Sequence, residues 1–426
     1  MRTVQSRVFV AGALALAFAA AAGAGETRGE FTWTTDSAKA KTLLAELQQR
    51  IESFQFGPDS IELARKITET DPEFAMGHYY LYATQPPPDR QPPLDRALEL
   101  AKEASDGERR FIETMAHIRD IQTITDPRVQ ETTEGMEALA LDYPNERLVQ
   151  VILGQLYQAT NQAEKAHRAF QRCEEIGPSS PRARAFLANY DLLQGDYAAA
   201  RSSFEAVEKS LPSGTAPFAI YYGIAFSYLY EGDVDSALAS LKTYLEKYRT
   251  TGLIFGPDVF IWNSIARINL ESGHLEEAMK AYEAGYEGVP GSSLPDDQKA
   301  VWEGRLMHGR SRVLARMGKH EEAWAIAEQV RALIEEGGEP AEQYWPAWHY
   351  LVGYLKLEAD DPKAAIEHLE KGDPNDPFQT LLLARAYERA GQKDEAREAY
   401  ERVMASENNG LERALAYPEA KKKLAS

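Results

Sequence analysis

The sequence predicts an all-α solenoid of about ten helix pairs followed by one C-terminal helix. Three observations predict it. The first is a register repeated within 147–214. Leu153-Gly154, Tyr157, Asn161, Ala166, Phe170 and Pro178 are followed by Leu187-Ala188, Asp191, Gly195, Ala200, Phe204 and Pro212. From Ala166 to Ala200, from Phe170 to Phe204 and from Pro178 to Pro212 the step is 34 residues each time. The second is a column of seven turn residues, each five positions before an alanine: Asn161/Ala166, Gly195/Ala200, Gly232/Ala237, Gly273/Ala278, Gly318/Ala323, Asp360/Ala365 and Gly391/Ala396. Gly, Asn and Asp tolerate the left-handed backbone that ends a helix, so this column marks the tight turn inside each pair. The third is packing. A small residue sits seven positions before each turn, at Gly154, Ala188, Ala225, Ala266, Ser311, Gly353 and Ala384. Four positions after each alanine comes Phe170, Phe204, Leu241, Tyr282, Ala327, Leu369 or Tyr400, bulky in every case but Ala327.

A fixed step of this size is the mark of stacked repeats, and this register resembles the tetratricopeptide repeat (TPR). The likeness is strong over 147–410 and loose over 38–146. It implies a right-handed superhelix whose first helices line a concave face, and a scaffold that binds a protein or peptide without catalysis. The ending Leu411-Glu412-Arg413-Ala414-Leu415-Ala416-Tyr417-Pro418-Glu419-Ala420 resembles that of exported bacterial TPR proteins of unassigned role.

Taken in order, residues 1–24 read as an export signal. Arg2 and Arg7 precede an apolar run from Val8 to Ala22, and Ala22-Gly23-Ala24 offers small residues for cleavage before Gly25. The expected location is periplasmic or secreted, with no stable membrane insertion after cleavage. Residues 25–37 read as a flexible polar tail. Asp36 and Ser37 suit the start of a helix to about Ser53, with Leu43, Leu44, Leu47 and Ile51 at helical spacing. Ser60 to Glu69 and Phe74 to Tyr82 follow as helices. Pro86, Pro87, Pro88, Pro92 and Pro93 predict an extended break. Helices resume at about Leu94–Ala104, Gly107–Ile121 and Arg128–Leu141, so 38–146 reads as degenerate repeats. Beyond Ala200 the alanine steps are 37, 41, 45, 42 and 31, with the extra residues between repeats. One insertion carries the apolar tip Leu253-Ile254-Phe255, which is expected to pack under a neighbour. Residues 411–426 read as a polar helix that caps the open end of the array, its Lys421-Lys422-Lys423 suiting a helix C-terminus.

Acidic residues outnumber basic ones, 66 to 47, a net charge of −19. That field argues against nucleic acid or anionic membrane as the main partner. Removing Arg2 and Arg7 with the signal leaves 45 basic against 66 acidic residues and a charge of −21. Cys173 is the single cysteine, so no intrachain disulfide forms, and its place three residues after Phe170 predicts a packing role.

No catalytic, cofactor or metal constellation emerges. There is no G-x-S-x-G elbow, no glycine-rich phosphate loop and no cysteine pair. His320-Glu321-Glu322 lacks a second histidine, since Trp324 stands four positions on. No sequence spacing pairs His349 with His368.

The expected binding surface is the groove. Residues three before and one after the small column lie four apart, on one face of each first helix. They are Val151/Gln155, Ala185/Asn189, Tyr222/Phe226, Asn263/Arg267, His308/Arg312, Tyr350/Tyr354 and Leu381/Arg385. None is acidic, three are Arg and four are aromatic. Arg316 and Arg389 extend the basic patch by one turn. The site residues expected are Asn189, Tyr222, Phe226, Asn263, Arg267, His308, Arg312, Arg316, Tyr350, Tyr354 and Arg385. Arginine forks and Asn amides suit the backbone and carboxylates of a peptide. Asn263, Arg267 and Arg312 resemble part of the carboxylate clamp of some TPRs, although Tyr222 and Phe226 depart from it. Two readings compete with it: ordinary solvated or inter-repeat side chains, each Arg paired to a nearby carboxylate, or a glycan or anionic metabolite stacked on Tyr222, Tyr350 and Tyr354. On the groove reading, Arg267→Glu with Arg312→Glu is expected to abolish binding of the natural partner and leave helicity intact.

Overall fold

The computed structural model describes residues 29–426 apart from 87–89, 122, 178–179, 213–214, 251–257 and 293. The expected signal, residues 1–24, lies outside the described residues, as do Pro87, Pro88, Pro178 and Leu253-Ile254-Phe255.

Ten helix pairs and a final helix make up the described chain, with one short 3-10 helix and no described strand. The pairs are α1 (Ala38–Glu52) with α2 (Pro58–Thr70), α3 (Ala75–Thr84) with α4 (Gln91–Ala101), α5 (Asp106–Ala116) with α6 (Pro127–Asp142), α7 (Arg147–Ala159) with α8 (Ala163–Ile176) and α9 (Pro181–Gln194) with α10 (Tyr197–Ser210). Then come α11 (Phe218–Glu231) with α12 (Val234–Thr250), α13 (Val259–Glu271) with α14 (Leu275–Glu287), α15 (Asp296–Arg316) with α16 (His320–Gly337), α17 (Trp345–Glu358) with α18 (Pro362–Leu369) and α19 (Pro377–Ala390) with α20 (Lys393–Ala405). The last helix is α21 (Leu411–Leu424).

All seven expected turn residues adopt left-handed backbone, from φ 56° at Asn161 to 91° at Gly195. All seven alanines and all seven small residues are buried. Contact at these sites is close. A Cβ added at Gly154 would lie 2.5 Å from Phe170 Cζ, and one at Gly353 would lie 2.5 Å from Leu369 Cγ. The bulky column also reaches the following repeat: Phe170 stacks on Phe186 of α9 at 4.4 Å. First helices of neighbouring repeats touch directly, α9 with α11, α13 with α15, α15 with α17 and α17 with α19. Second helices pack on the helices before and after them in the chain. The first helices therefore form the inner layer of the solenoid. The apolar core runs unbroken from Phe31 to Ala183, so residues 38–146 share it with the clear repeats.

Four elements differ from the sequence reading. Pro92 and Pro93 do not break the chain; they occupy the first turn of α4. A helix leaves its first N–H groups unpaired, so proline costs little there. Helix α5 ends at Ala116, short of Ile121.

Residues 29–35 are a fixed extended segment rather than a flexible tail. Phe31 is buried edge-on against Trp33, Phe111 and Tyr143. Its N–H donates to Glu146, and the Thr34 N–H donates to the fully buried Glu108 at 2.5 Å. Two aromatics in a polar stretch, and two carboxylates needing donors, hold the segment down.

Helix α21 does not cap the end of the array. It packs on α20 and also on α11, α13 and α19, along the inner layer. Its small residues Ala414, Ala416 and Ala420 are buried there. Ala414 joins the apolar cluster of the middle repeats, and Ala416 and Ala420 join that of the last ones.

Gly154→Ala should cost about 1–3 kcal/mol by overpacking. At Gly304, mid-helix on α15 with no atom within 4 Å of an added Cβ, Gly304→Ala should instead gain about 0.5–1 kcal/mol. Urea unfolding of the two variants against the parent chain measures both.

Candidate functional site

The residues expected to line the groove lie on the first helices, and α21 packs on three of these, α11, α13 and α19. Arg267, on α13, donates to Glu412 of α21 at 2.5 Å. Arg385, on α19, grips Glu419 of α21 with two hydrogen bonds of 2.9 and 2.5 Å. Glu412 and Glu419 are seven residues apart, two turns of helix, so both face the same wall. Between them the buried Arg413 donates to Tyr230 Oη at 2.9 Å and lies 4.4 Å above the Tyr417 ring. Burial pushes both carboxyls up, yet Arg267 holds Glu412, and Arg385 holds Glu419, below the usual range.

Arg312, on α15, is not free for a ligand. It is 5% exposed and donates to Tyr350 Oη at 2.8 Å and Tyr282 Oη at 3.0 Å. Its guanidinium also lies over the Tyr350 and Tyr354 rings. Three buried N–H-bearing nitrogens have no hydrogen-bond partner among the described residues: Arg312 Nε and, on Arg267, Nε and Nη2.

The remaining expected residues tie inner helices together. Tyr222 Oη meets Ser264 Oγ at 2.7 Å and the Phe260 carbonyl at 3.2 Å, joining α11 to α13, and its ring stacks on Phe226. His308 Nε2 lies 3.2 Å from the Ala347 carbonyl, and burial together with Arg312 holds its pKa well down. Arg316 sits 3.8 Å from both Glu271 and Glu358. Arg389 donates to the Leu357 carbonyl at 2.7 Å. The Asn189 carbonyl accepts from Asn409 at 2.9 Å, in the link between α20 and α21. Asn263 is half-buried on α13.

These contacts correct two expectations. Arg267→Glu with Arg312→Glu is no neutral probe, because it would place buried carboxylates beside Glu412 and under two tyrosines. Tyr350 and Tyr354 are 7% and 1% exposed, so they offer no open face for stacking.

Sequence reasoning missed Glu271, Glu412, Arg413 and Glu419. Glu271 was within reach. Five positions after the small column stand Tyr230, Glu271, Arg316, Glu358 and Arg389, an alternating ladder of charge beside a tyrosine. Burial raises the Glu271 carboxyl, against the pull of Arg312. The structure also brings together His349 and His368, which no spacing paired: their Nδ1 atoms lie 3.0 Å apart. Among the described residues no three His, Cys, Asp or Glu side chains gather as a metal site would require. Cys173 is buried, which pushes its thiol up to about 12. A cavity of about 230 Å³ lies between α8, α9 and residues 407–410, with Asn189 in its lining and no arginine. No helix among the described residues is long and apolar enough to cross a membrane.

The family described as tetratricopeptide repeat matches residues 153–215, 222–293 and 381–406. No curated protein matches the chain. Among solved structures, a tetratricopeptide repeat protein from Parabacteroides merdae is 15% identical, with 65% of this chain and 98% of that one covered and a TM-score of 0.46. PilW, a type IV pilus biogenesis factor, is 15% identical over 53% of this chain and 92% of its own, with a TM-score of 0.41. Human IFIT1 with m7Gppp-AAAA is 13% identical over 87% of this chain and 95% of its own, with a TM-score of 0.46.

Two outcomes follow from the charge pairs. Arg267→Ala should cost about 1–3 kcal/mol by stranding Glu412. Glu412→Ala should cost much less in that background than alone, as a double-mutant cycle would read. Acid should also loosen α21. Carboxyls held low in the folded chain stabilise it above the unfolded value of about 4.3, and that contribution fades as pH falls further. The raised carboxyls Glu271 and Asp376 act in the opposite sense, so the readout must be local. Hydrogen-exchange protection of α21 should drop below that pH, and Glu412→Gln with Glu419→Gln should remove the dependence.

Proposed function

The chain is a tetratricopeptide-repeat protein, and from that premise we propose that it is an exported, non-catalytic scaffold holding a peptide or protein partner on its inner face. One observation carries the reading. The inner face already holds a polypeptide, since α21 lies along it through arginine–carboxylate pairs and buried alanines. Charge-assisted forks and small-residue packing are the means by which such a wall recognises a helix or an extended segment. The apolar stretch Val8 to Ala22 supports a periplasmic or secreted location.

The carboxylate-clamp version of this reading has less support, because Arg267 is already paired and Arg312 is buried between tyrosines. The same burial weakens the reading of a stacked glycan or anionic metabolite. Of its three platforms only Tyr222 keeps a partly open ring.

Site-specific crosslinking tests the proposal. A photo-reactive residue replaces Asn263 on the inner helix α13, or the exposed Glu283 on the outer helix α14. Each full mature chain is then irradiated in an envelope extract of its own cell. A discrete protein adduct from position 263, and none from 283, is the expected result. If neither position yields an adduct, the scaffold reading fails, and a thermal-shift screen of glycans and anions takes its place.

A further inference from the structure

Helix α21 differs from the helices around it in what holds it. The Arg267–Glu412 and Arg385–Glu419 pairs tie it to α13 and α19, its fully buried apolar residues are all alanine, and Leu411, Leu415, Tyr417 and Leu424 pack beside them only partly buried. Alanine buries little apolar area, and hydrophobic adhesion scales with area. The helix also carries Pro418 in its interior. Proline there removes a backbone hydrogen bond and crowds the preceding turn. The wall facing it has donor capacity to spare: among the described residues the buried Nε and Nη2 of Arg267 have no hydrogen-bond partner. A wall with more donors than its occupant satisfies is matched to an occupant richer in acceptors.

We propose that the inner face of α11, α13 and α19 is a receptor for an acidic helix, that α21 is its built-in occupant, and that a partner helix with two carboxylates two turns apart displaces α21. This deepens the scaffold reading and rests on it. Carboxylates at i and i+7 reach Arg267 and Arg385 together, as Glu412 and Glu419 do. The net negative charge of the chain does not bar such a helix at close range, because salt screens charges beyond about 8 Å. What bars it is the tether. Only residues 406–410 separate α20 from α21, and a link that short keeps the local concentration of α21 on the order of millimolar. A free helix of equal affinity therefore competes poorly until α21 is released.

The test uses the chain with all its residues. A protease site is inserted between Ser406 and Glu407, and the labelled synthetic peptide 407–426 is added before and after cutting. Fluorescence anisotropy should rise with the cut chain. With the uncut chain binding should be roughly 100-fold weaker or more. The same peptide carrying Glu412→Lys and Glu419→Lys should fail to bind the cut chain. A second variant leaves the tether whole: Glu412→Lys with Glu419→Lys in the full chain should admit the wild-type peptide. Equal binding to cut and uncut chains, or equal binding of the lysine peptide, overturns the proposal. So does a folded cut chain that never exchanges its fragment. If the cut chain loses its helical signal, the tethered variant decides: no binding to it overturns the proposal. The assay needs no natural partner, so its failure and a failed crosslinking experiment are separate results.

Discussion

The close approach of two helices at one small residue per repeat is the constraint on which the rest depends. Where Gly154 faces Phe170, or Gly353 faces Leu369, even one added methyl would have to displace a buried neighbour. Interiors packed to this density tolerate little adjustment. The left-handed residue at the turn delivers the second helix at the angle this approach needs. Repeated down the chain, the two devices set where every first helix sits. They therefore set which side chains meet on the inside.

What meets there is charge. A chain of net charge −19 turns Arg267, Arg312, Arg316 and Arg385 inward, among Glu271, Glu412 and Glu419. Taking such groups out of water is expensive, and pairing them recovers little beyond that expense. Losing one partner is what costs. The inner face is accordingly sensitive to what lies against it. An apolar wall would hold α21 by area alone, whereas this one holds it where Glu412 and Glu419 meet Arg267 and Arg385.

Much of this was legible in the residues. The turn column could be read because positive φ admits few side chains, so Gly, Asn and Asp recur at a fixed place. The small column could be read because only a small residue fits the contact. The inner positions could be read because residues four apart share a helix face. Their partners could not. Glu412 lies 145 residues from Arg267, and nothing in local spacing links them. The C-terminal helix looked like a polar end cap because its alanines and charges suit solvent as well as an arginine-lined wall. Phe31 and Trp33 were lost in a polar stretch, since the carboxylates that anchor it, Glu108 and Glu146, are far along the chain.

Repeat arrays are ordinarily springs. Each unit touches its neighbours, and pulling or warming opens them one after another. Here the link before α21 reaches back across the coil. Glu407 accepts from the Ala163 N–H at the start of α8, 244 residues away, at 2.9 Å, and Asn409 meets both Asn189 and Tyr230. A spring clipped end to middle cannot lengthen without first releasing the clip. The repeats between Ala163 and Glu407 are therefore closed into a loop of contacts, and their ends cannot part until these few hydrogen bonds break.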